Sequence, residues 1–273
     1  MNALSLFDGM SCGRLALERA GIEVGAYFAS EIDRHAITVT QANYPDTVQL
    51  GDVTALSADQ LPRIDLLMGG SPCQGFSSVG EGRGFDDPRS RLFWEFVRLL
   101  EECQPKLFLL ENVPMRKDWL NIITAALGVQ PIPIDSALVS AQHRKRHYWT
   151  NIPGVTQPEN LRIMLDDVIE NPANYHIPAN WERRVPADRP RYVDANNRNP
   201  IRDYKSTTLR TNISNGNMWV QTHDGYRNLT TSECEKLQTV PVGYTDAVAM
   251  TNAKKMLGNG WTVDVIAHIL SGI

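Results

Sequence analysis

Short apolar runs in the first half of the chain each stop on a glycine or an acid. Residues 4–7 (Leu-Ser-Leu-Phe) run into Asp8-Gly9, 24–30 into Glu31, 47–50 into Gly51-Asp52, 64–68 into Gly69-Gly70, and 106–110 into Glu111. Helical patterns fall between several of them. A helix is expected over 13–20, stopped by Gly21, and a second over about 35–42. A third covers 92–102, with Phe93, Phe96, Val97 and Leu100 on one face. Alternation of this kind folds as a parallel sheet with helices on both faces. Ligands then gather outside the carboxyl ends of the strands, so the residues that stop the runs are where chemistry is to be sought.

The pattern changes after residue 152. Residues 153–226 are rich in Asn, Arg and Pro and poor in long apolar runs, which suits a meandering loop region or a small accessory lobe. Compact patterning returns near Leu229, and 263–270 reads as a closing helix. The expected organisation is an α/β domain over 1–152, a small domain over 153–226, and a return to the first domain over 227–273. A hydrophobic fraction of 42% suffices for a core. The net charge of -4 argues against a basic coat but leaves room for a local basic cleft. No apolar run nears the roughly 18 residues of a membrane span. The first residues, with Asp8 so early, do not read as a signal peptide. A soluble, cytoplasmic protein is expected. Cys12, Cys73, Cys103 and Cys234 form no Cys-x-x-Cys pair, so neither a metal site nor a disulfide is expected.

Four constellations carry the candidate chemistry. Gly69-Gly70-Ser71-Pro72-Cys73-Gln74-Gly75-Phe76-Ser77 follows an apolar run, and its proline and glycines shape a loop that would lift the Cys73 thiol into the crevice. The glycine-punctuated stretch 77–87 that follows suits a lid. Glu111, at the end of a buried strand on the same sheet edge, is costly there unless paired or useful. A carboxyl withdrawn from water holds its proton more tightly and can serve as an acid. In Gln142-His143-Arg144-Lys145-Arg146, a strand would put Gln142, Arg144 and Arg146 on one face as a clamp for an oxygen atom. Finally, Phe7, Asp8 and Gly9 form a turn after the first run, while Glu31, Asp33 and Asp52 follow the second and third. Acids at successive strand ends suit a ligand with a sugar, an amino group and little negative charge. They would repel a dinucleotide pyrophosphate, which favours S-adenosylmethionine over a nicotinamide cofactor.

With these residues in place, the chain resembles the cytosine-C5 DNA methyltransferases of bacteria and phages, over nearly its whole length. Phe7-Asp8-Gly9 with Gly13, Glu31-Ile32-Asp33 and Gly51-Asp52-Val53 are similar to the cofactor motifs. Pro72-Cys73-Gln74 is similar to the nucleophile motif, and Arg89-Ser90-Arg91-Leu92-Phe93 to the motif beyond the catalytic loop. Glu111-Asn112-Val113, Gln142-x-Arg144-x-Arg146, Arg227-x-Leu229-Thr230 with Leu237-Gln238, and Gly258-Asn259-Gly260-Trp261 follow in the family's order. Gly260-Trp261 stands where many bacterial members carry Ser-Val and is nearer the animal de novo enzymes. Val240 precedes Pro241 where an aromatic is common.

The resemblance implies a class I S-adenosylmethionine-dependent methyltransferase fold: a Rossmann-like α/β sheet, helices on both faces, and a small target recognition lobe. It implies a nucleophile at Cys73, a proton donor at Glu111, and Arg146 on the base, with Arg144 and Gln142 supporting the active-site loop or backbone. Phe7, Gly9, Glu31, Ile32, Asp52, Val53, Pro72, Leu92, Asn259 and Trp261 would line the cofactor pocket. Gln74, Ser77, Ser78, Arg83 and Arg210 would contact duplex DNA. Residues 153–226 stand where the family keeps target recognition, and from 181 to 227 Arg183, Arg184, Arg189, Arg191, Arg198, Arg202, Lys205, Arg210 and Arg227 outnumber the acids. A role in restriction-modification or in a phage is the expected context. The rivals are an RNA methyltransferase on the same scaffold and a non-catalytic DNA-binding regulator. The first usually carries a Cys-Phe-Thr tripeptide after Asn-Val, which is not seen here, and the second would be expected to have lost Cys73 or Glu111.

Overall fold

The structure is a computed structural model that describes residues 1–71, 91–170, 191–194, 199–211, 218–222 and 225–273. Its strands are β1 (Asn2–Leu6), β2 (Ala26–Ser30), β3 (Val48–Gln49), β4 (Leu66–Gly70), β5 (Leu107–Asn112), β6 (Ile132–Asp135), β7 (Lys145–Thr150), β8 (Tyr192–Asp194), β9 (Met218–Thr222) and β10 (Gly225–Asn228). The helices are α1 (Cys12–Arg19), α2 (Arg34–Asn43), α3 (Leu92–Cys103), α4 (Lys117–Leu127), α5 (Leu165–Val168), α6 (Thr231–Leu237), α7 (Met250–Asn259) and α8 (Val263–Leu270). The chain divides into two compact units. One comprises Met1–Ile134, Lys145–Gln157 and Val263–Ile273; the other comprises Asp135–Arg144 and Pro158–Thr262.

The first unit is built on a sheet of order β3-β2-β1-β4-β5-β7-β6. Strands β1 to β5 pair in parallel, and β7 runs antiparallel to β5. Alternation along the strands sends Leu4, Leu6, Leu67, Phe108, Leu110 and Trp149 into one apolar cluster with Phe93 and Phe96 of α3 and Ile123 and Leu127 of α4. Each such side chain contributes about 1.5–3 kcal/mol on burial. The opposite row, with Ala3, Leu66, Met68 and Leu109, is as fully buried, so the sheet is covered on both faces. Gly69 has no room for a side chain: a Cβ there would stand 3.0 Å from the Phe96 ring and 3.2 Å from the Leu6 carbonyl. The strand order reverses between β1 and β4, and the carboxyl ends at such a reversal are where open parallel sheets hold their ligands.

The structure shifts several expected elements. Phe7 leaves β1 because its φ is 55°, a left-handed conformation no strand accepts. β5 continues through Glu111 and Asn112, which β7 pairs opposite Tyr148 and His147. In α3 Leu99 is fully buried along with Phe93 and Phe96, while the expected Leu100 is only partly covered. Helix α4 and strand β6 follow β5 without having been anticipated. Among the described residues, no helix is long and apolar enough to cross a membrane.

In the second unit, β8, β9 and β10 form an antiparallel sheet around Val193, Trp219 and Tyr226. Arg227, at the end of this sheet, forms a two-pronged ion pair with Glu233 of α6, at 2.8 and 2.6 Å. Both side chains are sealed from water, at 1% and 0% exposure. Glu233 also closes the capping box of α6 with Thr230. Lys205 is buried as well, and its ammonium donates to the carbonyls of Ala137, Ser140 and Ile163. Arg227 and Lys205 therefore do not belong to a phosphate-facing surface, contrary to the sequence reading. Arg202 and Arg210 are exposed, and so is Arg191, which pairs with Asp166. Removing one member of a sealed pair strands the other. Arg227→Ala is expected to cost about 3–5 kcal/mol, read as a lower urea midpoint. A midpoint within error of wild type would show that the pair does not hold this region.

Candidate active site

The carboxyl ends of β1, β2, β4 and β5 lie side by side, since Leu6 pairs with Ser30 and Gly69, and Gly70 pairs with Glu111. This edge carries most of the residues that the sequence singles out in the first unit.

After β1 the chain makes a strained turn. Phe7, Gly9 and Ser11 have φ of 55°, 60° and 60°. The left-handed region costs a non-glycine residue about 1–2 kcal/mol, so Phe7 and Ser11 need support. Asp8 supplies part of it. Its buried carboxylate accepts from the Tyr27 hydroxyl at 2.7 Å and from the Ser11 hydroxyl, with Ser5 adding a further hydroxyl. Burial pushes the Asp8 pKa up to about 6 against the pull of those hydroxyls, and the nearby Glu31 carboxyl adds to the rise.

Glu31, just past β2, fastens the same turn from outside. Its Oε2 accepts from the Gly9 amide at 2.8 Å, and its Oε1 from the amides of Ile32 and Asp33 at 2.7 and 2.8 Å. A carboxylate has about four acceptor positions, so capacity remains for a ligand hydroxyl. Beside it the Ile32 side chain is 75% exposed, an apolar surface at the rim of the edge. Asp33 caps α2 through the His35 amide, a structural duty. Asp52 caps the short turn that starts at Val53: the Thr54 amide and hydroxyl both reach Oδ1 at 2.9 Å. Those bonds hold its carboxyl below the usual range. Val53 is buried in the core, and Phe7 and Leu92 pack against that core.

At the other end of the edge, Glu111 is 9% exposed, and its Oε1 stands 2.8 Å from Nε of Arg146. Neighbouring Asn112 points to the opposite face. Its amide donates to the Ser71 hydroxyl at 3.0 Å, and its carbonyl accepts from the Val113 amide. Asn112 thus ties the end of β5 to the residue that leads into Pro72. His147, opposite Asn112, is kept below its usual pKa by burial, with the Val113 carbonyl opposing. Pro72, Cys73, Gln74, Ser77, Ser78 and Arg83, with the stretch 77–87, lie outside the described residues. The other thiols are poor nucleophiles: Cys12 and Cys234 are buried, burial pushes Cys234 up to about 12, and burial also raises Cys103.

Gln142 and Arg144 do not share a strand face with Arg146, because β7 begins only at Lys145. Both sit in the second unit, at 0% and 3% exposure. The Gln142 amide donates to the Leu237 carbonyl and accepts from the Leu209 amide. Arg144 donates to the carbonyls of Leu209, Gly258 and Gly260, and Gln238 donates to those of Leu257 and Gly260. Together these side chains satisfy the carbonyl end of α7 and fix the turn that carries Asn259 and Trp261. Gly258 is needed there, since a Cβ would meet the Arg210 backbone at 2.5 Å. Asn259 and Arg210 are exposed, and Trp261 is half-buried. A basic, amide-rich stretch looks like a substrate clamp until it is seen that two of its long donors are spent on backbone carbonyls.

Sequence reasoning did not single out Asp8, Ser11, Tyr27 or Asn112 as site residues. Asp8 and Asn112 stood inside motifs already noted, and for Asp8 an acid beside a glycine at the end of an apolar run was the available signal. Ser11 and Tyr27 carried none. Among the described residues, no group of His, Cys, Asp and Glu is placed to hold a metal ion.

The profile of the C-5 cytosine-specific DNA methylase family matches residues 1–121 and 138–273. The chain is 35% identical to the orphan methyltransferase M.SPRI of Bacillus phage SPR over 178 residues, which is 63% of this chain and 39% of that protein. It is 27% identical to the type II methyltransferase M.MspI of Moraxella sp over 293 residues, covering 99% of this chain and 69% of that protein. The chain thus spans well under half the length of the phage relative. The solved structure of the Entamoeba histolytica methyltransferase EhMeth matches with a TM-score of 0.78 at 18% identity, over 100% of this chain and 97% of that one. The fold is that of the class I methyltransferases, and the chain belongs to the C-5 cytosine-specific DNA methylase family.

Proposed function

We propose that this chain transfers a methyl group from S-adenosylmethionine to carbon 5 of cytosine in duplex DNA. The observation that carries the reading is the shared strand edge, where the Glu111–Arg146 pair adjoins the β4 end that leads into Pro72-Cys73.

The residues at the β1–β3 end of the edge fit such a cofactor. Glu31 has acceptor capacity for a ribose hydroxyl, Ile32 offers an apolar surface for adenine, and Asp52 has Oδ2 for the adenine amino group. By the family resemblance, Phe7, Gly9, Val53, Pro72, Leu92, Asn259 and Trp261 are the further candidates for contact with the cofactor. The acids there suit a ligand that carries a cationic centre and no phosphate. Bound, S-adenosylmethionine supplies an electrophilic methyl group.

The remaining chemistry belongs to the protein. Cytosine C5 is a poor nucleophile. Addition of the Cys73 thiolate to C6 breaks the ring's aromaticity and makes C5 an enamine-like carbon. Glu111, hydrogen-bonded at N3, keeps charge from building on the ring, and Arg146 binds O2. After C5 is methylated, loss of the C5 proton and elimination of Cys73 restore the aromatic base. Since a paired cytosine is out of reach, it must first be turned out of the duplex, at about a few kcal/mol. The 77–87 stretch would close behind it, with Gln74, Ser77, Ser78 and Arg83 toward the DNA. Residues 153–226, with exposed Arg210 at hand, would read the target. Gln142 and Arg144 support the backbone of the second unit.

Two experiments test this. Labelled cofactor offered with duplex DNA and with transfer RNA should methylate the DNA, and Cys73→Ala should abolish transfer. Wild type, with cofactor, should become covalently trapped on DNA carrying 5-fluorocytosine at its target. Activity on RNA alone, or full activity of Cys73→Ala, would overturn the reading. Separately, Glu31→Ala removes charge-assisted hydrogen bonds of about 1.5–3 kcal/mol, so the cofactor Kd should rise about ten- to hundredfold. An unchanged Kd would remove Glu31 from the pocket.

A further inference from the structure

We propose that Asp8 is a positioning residue for the cofactor turn, and that its ionised form holds the turn in the shape that binds S-adenosylmethionine. The proposal rests on the preceding reading that this turn takes that cofactor.

The geometry is the first argument. Phe7, Gly9 and Ser11 all have positive φ, and only one of them is glycine. Ser11 occupies the N-cap of α1 yet makes no capping bond. Its hydroxyl goes to Asp8 and to the Thr40 hydroxyl of α2, at 2.9 Å from the latter. Tyr27 reaches the other Asp8 oxygen from β2. One carboxyl therefore gathers β1, β2, α1 and α2 around the turn whose Gly9 amide is held by Glu31.

The second argument is the count of hydrogens. An ionised carboxylate only accepts, so it can receive the hydroxyls of Ser5, Ser11 and Tyr27 together. A protonated carboxyl brings a hydrogen of its own, so one of the three hydroxyls must accept instead of donate and send its own hydrogen elsewhere, which rearranges the bonds that hold the turn. The groups facing Asp8 are Ser5 of β1, Ser11 at the start of α1, Tyr27 of β2, Glu31 beyond β2 and, through Ser11, Thr40 of α2. Arg14 of α1 lies over the Tyr27 ring, 5.6 Å from its centre. Burial opposes ionisation most and Glu31 adds to it, so the Asp8 pKa is raised to about 6. Rising pH through that value ionises Asp8 and assembles the turn. A ligand with a sulfonium centre favours the same ionised state.

Calorimetric titration of the whole chain with S-adenosylmethionine, from about pH 5 to 7, tests this on wild type, Asp8→Asn and Tyr27→Phe, with circular dichroism as the check of fold. Wild-type Kd should rise as the pH drops below about 6, approaching tenfold per pH unit. Asp8→Asn should bind weakly throughout and lose that dependence. Tyr27→Phe removes a donor to the carboxylate and should move the midpoint to higher pH. A folded Asp8→Asn that keeps the wild-type slope, or a folded Tyr27→Phe with an unmoved midpoint, overturns the proposal. Should Asp8→Asn not fold, Tyr27→Phe decides alone. Tight wild-type binding with a flat profile sinks only the role of Asp8. No wild-type binding at any pH sinks the cofactor reading and this proposal together.

Discussion

A carboxylate at the end of a buried strand has lost much of its water and must be given donors in return. That constraint organises the first unit. Asp8 takes hydroxyls from Tyr27 and Ser11, Glu31 takes three backbone amides, and Glu111 takes the Arg146 guanidinium. In each case a donor comes from a different strand or turn than the acid. The acids therefore act as rivets between neighbouring strand ends, and the edge is organised before any ligand arrives.

The rivets also divide the edge by charge. Around β1, β2 and β3 the acids are met by neutral donors, so the local balance stays negative. At β5 and β7 the acid is met by a cation. A cationic ligand is electrostatically favoured at the first half over the second, where the acid is already neutralised. The second unit solves a different problem with similar chemistry. There Gln142, Arg144 and Gln238 satisfy the carbonyls at the end of α7, and Arg227 with Glu233 seals the start of α6. Its long polar side chains serve the backbone.

Local pattern revealed much of this, within limits that have physical causes. The apolar runs that became β1, β4 and β5 were visible because burial on both faces demands unbroken hydrophobicity. Their exact ends were not. Phe7 is apolar and looks like strand, yet the turn needs it left-handed; Glu111 and Asn112 are polar and look like loop, yet β7 pairs them. The direction of β7 and its place between β5 and β6 depend on partners distant in the chain. A run of basic residues looks the same in sequence whether its charges face solvent or are sealed against acids and carbonyls, so Lys205 and Arg227 were misplaced together, and Arg144 was set on a strand face with Arg146 that does not exist.

The amino-acid sequence by itself determined that the chain would build a covered parallel sheet, where its strand ends would fall to within a few residues, and which family its ordered motifs resemble. Periodicity and glycine placement act over a few residues, and so they are legible without a fold. Only the tertiary structure decided which acids would be riveted and by what. It set Asp8 against Tyr27, Asn112 against Ser71 and Arg146 against Glu111, because desolvated charges choose partners by proximity in space, and that proximity exists only once the sheet has formed.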